Sequence, residues 1–404
     1  MIHINSLCVV LLLVFTLGSC SENDVKNRTE TEQYNATRQA RVNHQQQTNN
    51  QVGFCTGNNG VAGVCMTRMA CTRGGGTQLG FGGCGTYNIC CDVPSTCNSN
   101  TPLKTKYISL QSPATIADRC TYTIQPYNAN VCQLRFNFIS VNLAPPTTTG
   151  TSPGSCDNQL LDINGMVLCG DLSDQHLYVP IDQTTGIMGS EFTLQILTQG
   201  VVSANTNKWN IQVTQLECPQ TTTPQKNGFL TIPRQSTLQD LRKMFAPRSN
   251  DADMLAPPGC DQYYTQQTGS IRSFNYRQNG LGQYPQNLHY TICVKRGAGD
   301  STLDLSAASG NFKMGFDNTM PAGEMAIDSY CHQTIPSPGQ SNDYILVPPV
   351  NVYSGSALYD AVFFCGTSLD GHKVMTEGPF MIIFNSDDTL SGDESGFNLQ
   401  YNVY

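Results

Sequence analysis

The chain has 404 residues, carries a net charge of −8 and is only 13% charged. That balance excludes a nucleic-acid partner, which needs a basic face, and leaves no polybasic patch for an anionic membrane. A length of this order fits two or three domains.

Residues 1–20 hold an apolar run from Leu7 to Leu17, broken only by Thr16 and followed by Gly18, Ser19 and Cys20. It reads as a signal peptide, too short to span a bilayer. Cleavage after Cys20 keeps the later cysteine count even; cleavage after Gly18 or an uncleaved anchor are the alternatives. No later run has the length of a membrane span, and the C-terminus carries no lipid-anchor tail. A secreted, extracellular protein is expected. Residues 21–54 form a polar tail with little to bury. It holds two N-glycosylation sequons, at Asn27 and Asn35.

Beyond residue 20, 16 of the 18 cysteines remain, in blocks of six (Cys55–Cys91), six (Cys97–Cys218) and four (Cys260–Cys365). Each block is even, so each can close its own bridges. The first is short and glycine-rich. A piece this small cannot fold on an apolar core, so three bridges at roughly 3 kcal/mol each must supply the stability. Its six cysteines allow about 15 connectivities, and spacing does not choose among them.

From Cys97 onward the pattern is period two. Tyr122 and Ile124 alternate with polar residues, as do Leu134, Phe136 and Phe138; Phe192, Leu194 and Ile196; and Trp209, Ile211 and Val213. The same grammar returns after Cys260, at Tyr290, Ile292 and Val294, at Phe380, Ile382 and Phe384, and at Phe397, Leu399, Tyr401 and Val403. Short strands with bridges and no helical pattern predict two antiparallel β-sandwiches. Trp209, on an alternating strand, is assigned to the core, and Tyr263 and Tyr264 are available to line a surface. Residues 219–258 form a linker bounded by Thr221-Thr222-Thr223-Pro224 and Pro257-Pro258. Leu238, Leu241, Met244 and Phe245 share one helical face there, so a short packed helix is expected; a cleavable insert near Arg242-Lys243 or Arg248 is the alternative.

The Cys55–Cys91 block, with its Gly63-Val64-Cys65 step and closing Cys-Cys pair, resembles a clip domain, although its middle, Gly74–Gly85, is short and glycine-loaded. The resemblance implies Cys55–Cys90, Cys65–Cys84 and Cys71–Cys91. The later blocks resemble CUB domains, through Gly259-Cys260-Asp261-Gln262-Tyr263-Tyr264, Ser273-Phe274-Asn275, Leu288–Cys293, Cys169-Gly170, Cys365-Gly366 and the ending Gly378-Pro379-Phe380 … Gly396–Tyr401. All but the ending also resemble the corresponding stretches of arthropod secreted CUB proteins that begin with a clip-like module. The family pattern implies Cys97–Cys120 and Cys156–Cys169, leaving Cys132 with Cys218, and then Cys260–Cys293 and Cys331–Cys365. The resulting layout is a clip-like module at 55–92, a CUB-like domain at 97–218, the linker, and a second CUB-like domain at 259–404.

Catalytic motifs fail on their surroundings. Gly150-Thr151-Ser152-Pro153-Gly154 matches a nucleophile elbow, but Pro153 has no N–H for an oxyanion hole. Gly80-Phe81-Gly82-Gly83-Cys84-Gly85 matches a dinucleotide fingerprint without its βαβ unit. Ser391-Gly392-Asp393-Glu394-Ser395-Gly396 lacks the histidine segment of a serine protease. No His-x-x-x-His pair is present. An enzyme is therefore not expected, nor any cofactor. Calcium is the one metal for which residues are at hand. Many CUB domains take it through a Glu and two Asp. In the first domain one Asp position falls on Gln159, with Asp157 as a poor substitute; in the second, Asp343 and Asp387 match, without the Glu. The expected function is non-catalytic binding of extracellular protein or glycan by sandwich loops. The alternatives are regulation of clip-bearing serine proteases, as decoy or cofactor, and a structural role in a matrix.

Overall fold

A computed structural model describes residues 53–58, 60–93, 95, 97–115, 117–148, 153–181, 192–198, 208–219, 250–277, 282–315, 331, 343–354, 357–388 and 394–404. The signal segment, both sequons, the linker helix at Leu238–Phe245 and Ser152 of the elbow motif lie outside the described residues.

The disulfide module is a small sheet, β1 (Phe54–Thr56), β2 (Ala62–Met66), β3 (Thr77–Gly80) and β4 (Ile89–Asp92), in the order β1-β2-β4-β3. A six-residue helix, α1 (Arg68–Arg73), follows β2; the Thr67 hydroxyl accepts the Ala70 N–H at 3.3 Å and caps it. Only Cys71 of this helix is buried. The core beneath it is Cys71, Ile89 and Cys91, so covalent bonds must replace apolar area here. Gly76 passes against the Cys71–Cys91 bridge where any side chain would collide.

The first sandwich pairs two four-stranded sheets. One runs β10 (Gln175–Pro180), β7 (Val131–Asn142), β12 (Lys208–Glu217), β5 (Tyr107–Gln111); the other runs β6 (Arg119–Ile124), β11 (Phe192–Leu197), β8 (Leu160–Ile163), β9 (Met166–Leu168). Alternation decides which faces meet. Cys120, Tyr122 and Ile124 point inward from β6. Phe136 and Phe138 of β7 stand opposite Val213 and Ile211 of β12, all fully buried. Burial stabilises each such side chain by about 2 kcal/mol. Trp209 is 2% exposed; its indole N–H donates to the Tyr122 hydroxyl at 3.1 Å, which donates to the Gln111 carbonyl at 2.9 Å. A buried indole thus keeps a polar partner.

In the second sandwich a continuous ladder joins β13 (Gln262–Tyr264), β15 (His289–Val294), β20 (Met381–Asn385), β17 (Tyr344–Ser354), β19 (Lys373–Thr376), β16 (Leu303–Lys313), β21 (Gly396–Val403) and β14 (Thr268–Arg272), with β18 (Ala357–Phe364) also paired to β17. Only β13 and β15 run parallel within it. The ladder is continuous because β17 changes partner along its length. Tyr344–Leu346 pair with β20, and Val350–Tyr353 pair with β19. Pro348 and Pro349 sit at the changeover. Proline has no N–H to donate, so the ladder breaks there and the strand can switch partner. The core is aromatic: Phe384 stacks on Tyr290 (centroids 4.8 Å) and meets Tyr284 edge-on (5.3 Å).

Both edges of the β10-β7-β12-β5 sheet are covered. At β5 the disulfide module lies alongside, where Gln111 Nε2 donates to the Ala62 carbonyl at 3.3 Å. At β10 the start of the second sandwich does so, where the Tyr178 N–H donates to the Asp261 carbonyl at 2.7 Å.

Candidate functional site

The sixteen cysteines stand as eight bridges: Cys55–Cys90, Cys65–Cys84, Cys71–Cys91, Cys97–Cys120, Cys132–Cys218, Cys156–Cys169, Cys260–Cys293 and Cys331–Cys365. None joins one block to another. Among the described residues the only three His, Cys, Asp or Glu ligand atoms that converge belong to Cys55, Cys65 and Cys84, all bridged. Bridged sulfur is not a thiolate and holds no metal.

The carboxylates singled out in the sequence lie together at one end of the second sandwich. Asp343 precedes β17 and is fully buried. Its Oδ2 accepts the Tyr284 hydroxyl at 2.7 Å and its Oδ1 accepts the Asp387 N–H at 2.7 Å. The Gly315 N–H in turn donates to the Tyr284 hydroxyl at 2.8 Å. Burial, then the charge of Glu394, hold the Asp343 carboxyl well above the ordinary carboxylate range. Glu394, just before β21, is 3% exposed and gives this end its third acid. These oxygens do not gather closely enough to grip one cation among the described residues. In the first sandwich Gln159 is buried, and its Oε1 accepts the Ala144 N–H at 2.7 Å. Asp157 is exposed and accepts the Thr147 and Ser155 hydroxyls. Both side chains hold loops. The two sandwiches meet at this end, where the Gln286 N–H donates to the Gly154 carbonyl at 3.0 Å.

A larger group of polar residues was not found in the sequence: the seam between the sandwiches. His176 of β10 is 8% exposed. Its Nε2 accepts the Tyr263 N–H at 2.9 Å, and its carbonyl accepts Gln262 Nε2 at 3.1 Å. Burial, then the Arg135 charge, push its pKa down to about 3. The ring packs edge-on against Tyr178 and Tyr264. Tyr263 and Tyr264, available for a surface by sequence, are instead half-buried in this seam. Gln133 bonds Ala256 both ways, at 2.8 and 3.0 Å. Gln175 Nε2 reaches the carbonyls of Arg272 (2.9 Å) and Ser273 (3.2 Å). The Asp171 N–H donates to Asn275 Oδ1 at 2.9 Å, and Gly170 leaves room for that side chain. Beside these, buried Asp251 accepts Lys106 Nζ at 2.7 Å and the Glu217 N–H at 3.1 Å. Gln175–Val179 are all buried, without the alternation of a strand with one wet face, as a strand covered on both sides requires.

A cleft of about 430 Å³ opens where the disulfide module meets the first sandwich, lined by Asp92, Ser95, Asn98, Ser109, Gln111 and Thr115 among others. Burial raises the Asp92 pKa.

The fold and these sites define a class: a disulfide-stapled chain, nearly all β, with two sandwiches behind a small knotted module. Residues 257–404 match the family model of the animal CUB domain. No curated protein matches significantly. Among solved structures the chain is similar to the CUB1-EGF-CUB2 domains of rat MASP-1 (14% identity, TM-score 0.22, covering 75% of this chain and 99% of that one). It is similar also to the CUB1-EGF-CUB2 domain of human MASP-1/3 (17% identity, TM-score 0.20, covering 74% and 100%). Among the described residues no helix is long and apolar enough to cross a membrane.

Proposed function

We propose that this chain is a secreted, non-catalytic binding protein whose CUB-like sandwiches present loops to extracellular protein or glycan. The match of residues 257–404 to the animal CUB domain carries the reading. Two further observations support it. The cysteines are bound in bridges, which suits an oxidising compartment. Asp343 and Gln159 at the loop ends, and Gln133, Gln175 and His176 in the seam, bond to backbone or to neighbouring side chains, so these polar groups hold the fold. The test has two arms. The full chain is expressed with its own N-terminus in a secretory host, and the medium is assayed for a shortened, soluble product. That product is then screened against arrayed extracellular proteins and glycans. Saturable binding that substitutions in the second sandwich's end loops weaken is expected. A product retained inside the cell, or one that binds nothing on the arrays, would overturn the reading.

The three-bridge module with adjacent Cys90 and Cys91 favours a second reading, control of clip-bearing proteases. Its test is whether the purified chain alters the activation rate of such a protease; an unchanged rate at every step rejects it.

A further inference from the structure

Two aromatic rings stand in water on one loop of the disulfide module. The loop joins β3 to β4, and on it Phe81 is 66% and Tyr87 91% exposed. Among the described residues the other exposed aromatic ring is Tyr404, at the end of the chain. The loop is built to hold its shape. The Cys84 N–H donates to the Phe81 carbonyl at 2.8 Å, closing a turn whose central residues, Gly82 and Gly83, have φ of 45° and 81°. Both central positions need positive φ, which glycine adopts without strain. The Cys65–Cys84 bridge ties the turn to β2. Gly82 also lies so close to Cys90 and the Thr56 carbonyl that a side chain would not fit. Phe81 is thus displayed by a covalently pinned turn, and little ordering cost remains on binding.

The loop itself is uncharged. From Gly74 to Cys91 there is no Asp, Glu, Lys, Arg or His. Gln78 and Thr86 of the same stretch are exposed, and the Asn58 amide lies next to Gly80, the residue before Phe81. A hairpin tip is too small for the roughly 800 Å² that each partner buries in a stable protein interface. A chain of net charge −8 with no cation on this loop has no pull toward an anionic membrane. A neutral sugar meets both limits. One face of an equatorially substituted pyranose is a plane of C–H groups that packs on an aromatic ring, while its hydroxyls bond to amides at the ring's margin. We propose that the Phe81–Tyr87 loop is a binding site for a neutral polysaccharide. The site lies on the disulfide module, apart from the sandwich loops, and stands or falls independently of them.

The full secreted chain is to be co-sedimented with cellulose, chitin and β-1,3-glucan, with heparin as the charged control. Retention on at least one neutral polymer is expected, insensitive to salt. F81A combined with Y87A is expected to weaken retention at least tenfold without changing the melting temperature, because both side chains are already in water; F81W is expected to restore it. Absence of retention on all three polymers overturns the proposal. So does retention that the double substitution leaves intact, which places the ligand on the sandwiches, or retention on heparin alone.

Discussion

Protonating His176 should loosen the seam between the sandwiches. The imidazole accepts a hydrogen bond from the Tyr263 N–H and lies in the field of Arg135. Protonation turns that acceptor into a donor facing a donor. Its folded pKa of about 3 lies below the ordinary value of 6.5. The unfolded chain therefore takes the proton first as pH falls, and stability is lost on acidification. The contribution is complete above pH 6.5, declines through the window between 6.5 and 3, and levels off below. At pH 4.5 the difference from pH 7 amounts to about 2–3 kcal/mol, since each unit of pKa shift is worth about 1.4 kcal/mol. Other groups titrate in this range as well. Asp343, Asp261 and Asp92 have raised folded pKa values, so each contributes in the opposite sense, relieving strain as pH falls. His176→Gln separates the effects, because glutamine offers an acceptor oxygen near Nε2 and does not titrate. Urea unfolding of both proteins at pH 7 and 4.5 should show the wild type losing about 2–3 kcal/mol more than the variant. Equal losses in the two proteins would refute the reasoning.

Lys106→Ala should cost about 3 kcal/mol, because it leaves the buried Asp251 carboxylate without its cation, whereas Asp251→Asn should cost about 1 kcal/mol, keeping an acceptor for the Glu217 N–H. Urea midpoints in low salt check the order, and a larger loss from Asp251→Asn contradicts it. Phe384→Ala, which empties the space between Tyr290 and Tyr284, should destabilise the second sandwich by about 3–5 kcal/mol in calorimetry; a loss below about 1 kcal/mol would mean the rings re-pack. Titration calorimetry with millimolar calcium should give no saturable heat, since both oxygens of Asp343 are engaged by Tyr284 and the Asp387 N–H. A saturating heat that vanishes in Asp343→Asn would establish a cation site there.

What the sequence made legible was what repeats along the chain. Alternation in β6 and β21 marks one buried face apiece, and the alternating apolar residues of β7, β12 and β15 lie in the core too, Trp209 among them, although polar neighbours such as Asn137, Gln212 and Thr214 are buried beside them. Helix α1 escaped notice because at six residues it is too short for a periodic signal, although Thr67 is a good cap. The seam was illegible for a different reason. His176 and Tyr263 are 87 residues apart, and nothing local tells a histidine that its acceptor nitrogen will meet a backbone N–H of another domain. Asp343 could be picked out beside Tyr344–Val347. Its bond to Tyr284, 59 residues earlier, could not.

The covered edges of the β10-β7-β12-β5 sheet have one more consequence. With the knotted module against β5 and the second sandwich against β10, the distance from the Phe81 turn to the Asp343 end is fixed by packed protein and not by a tether. If both ends bind, a partner offering two epitopes at that spacing gains the effective concentration of a bivalent receptor, and one whose epitopes cannot span it gains none. The molecule would then act as a caliper, selecting its targets by the interval between two marks as well as by the chemistry of either.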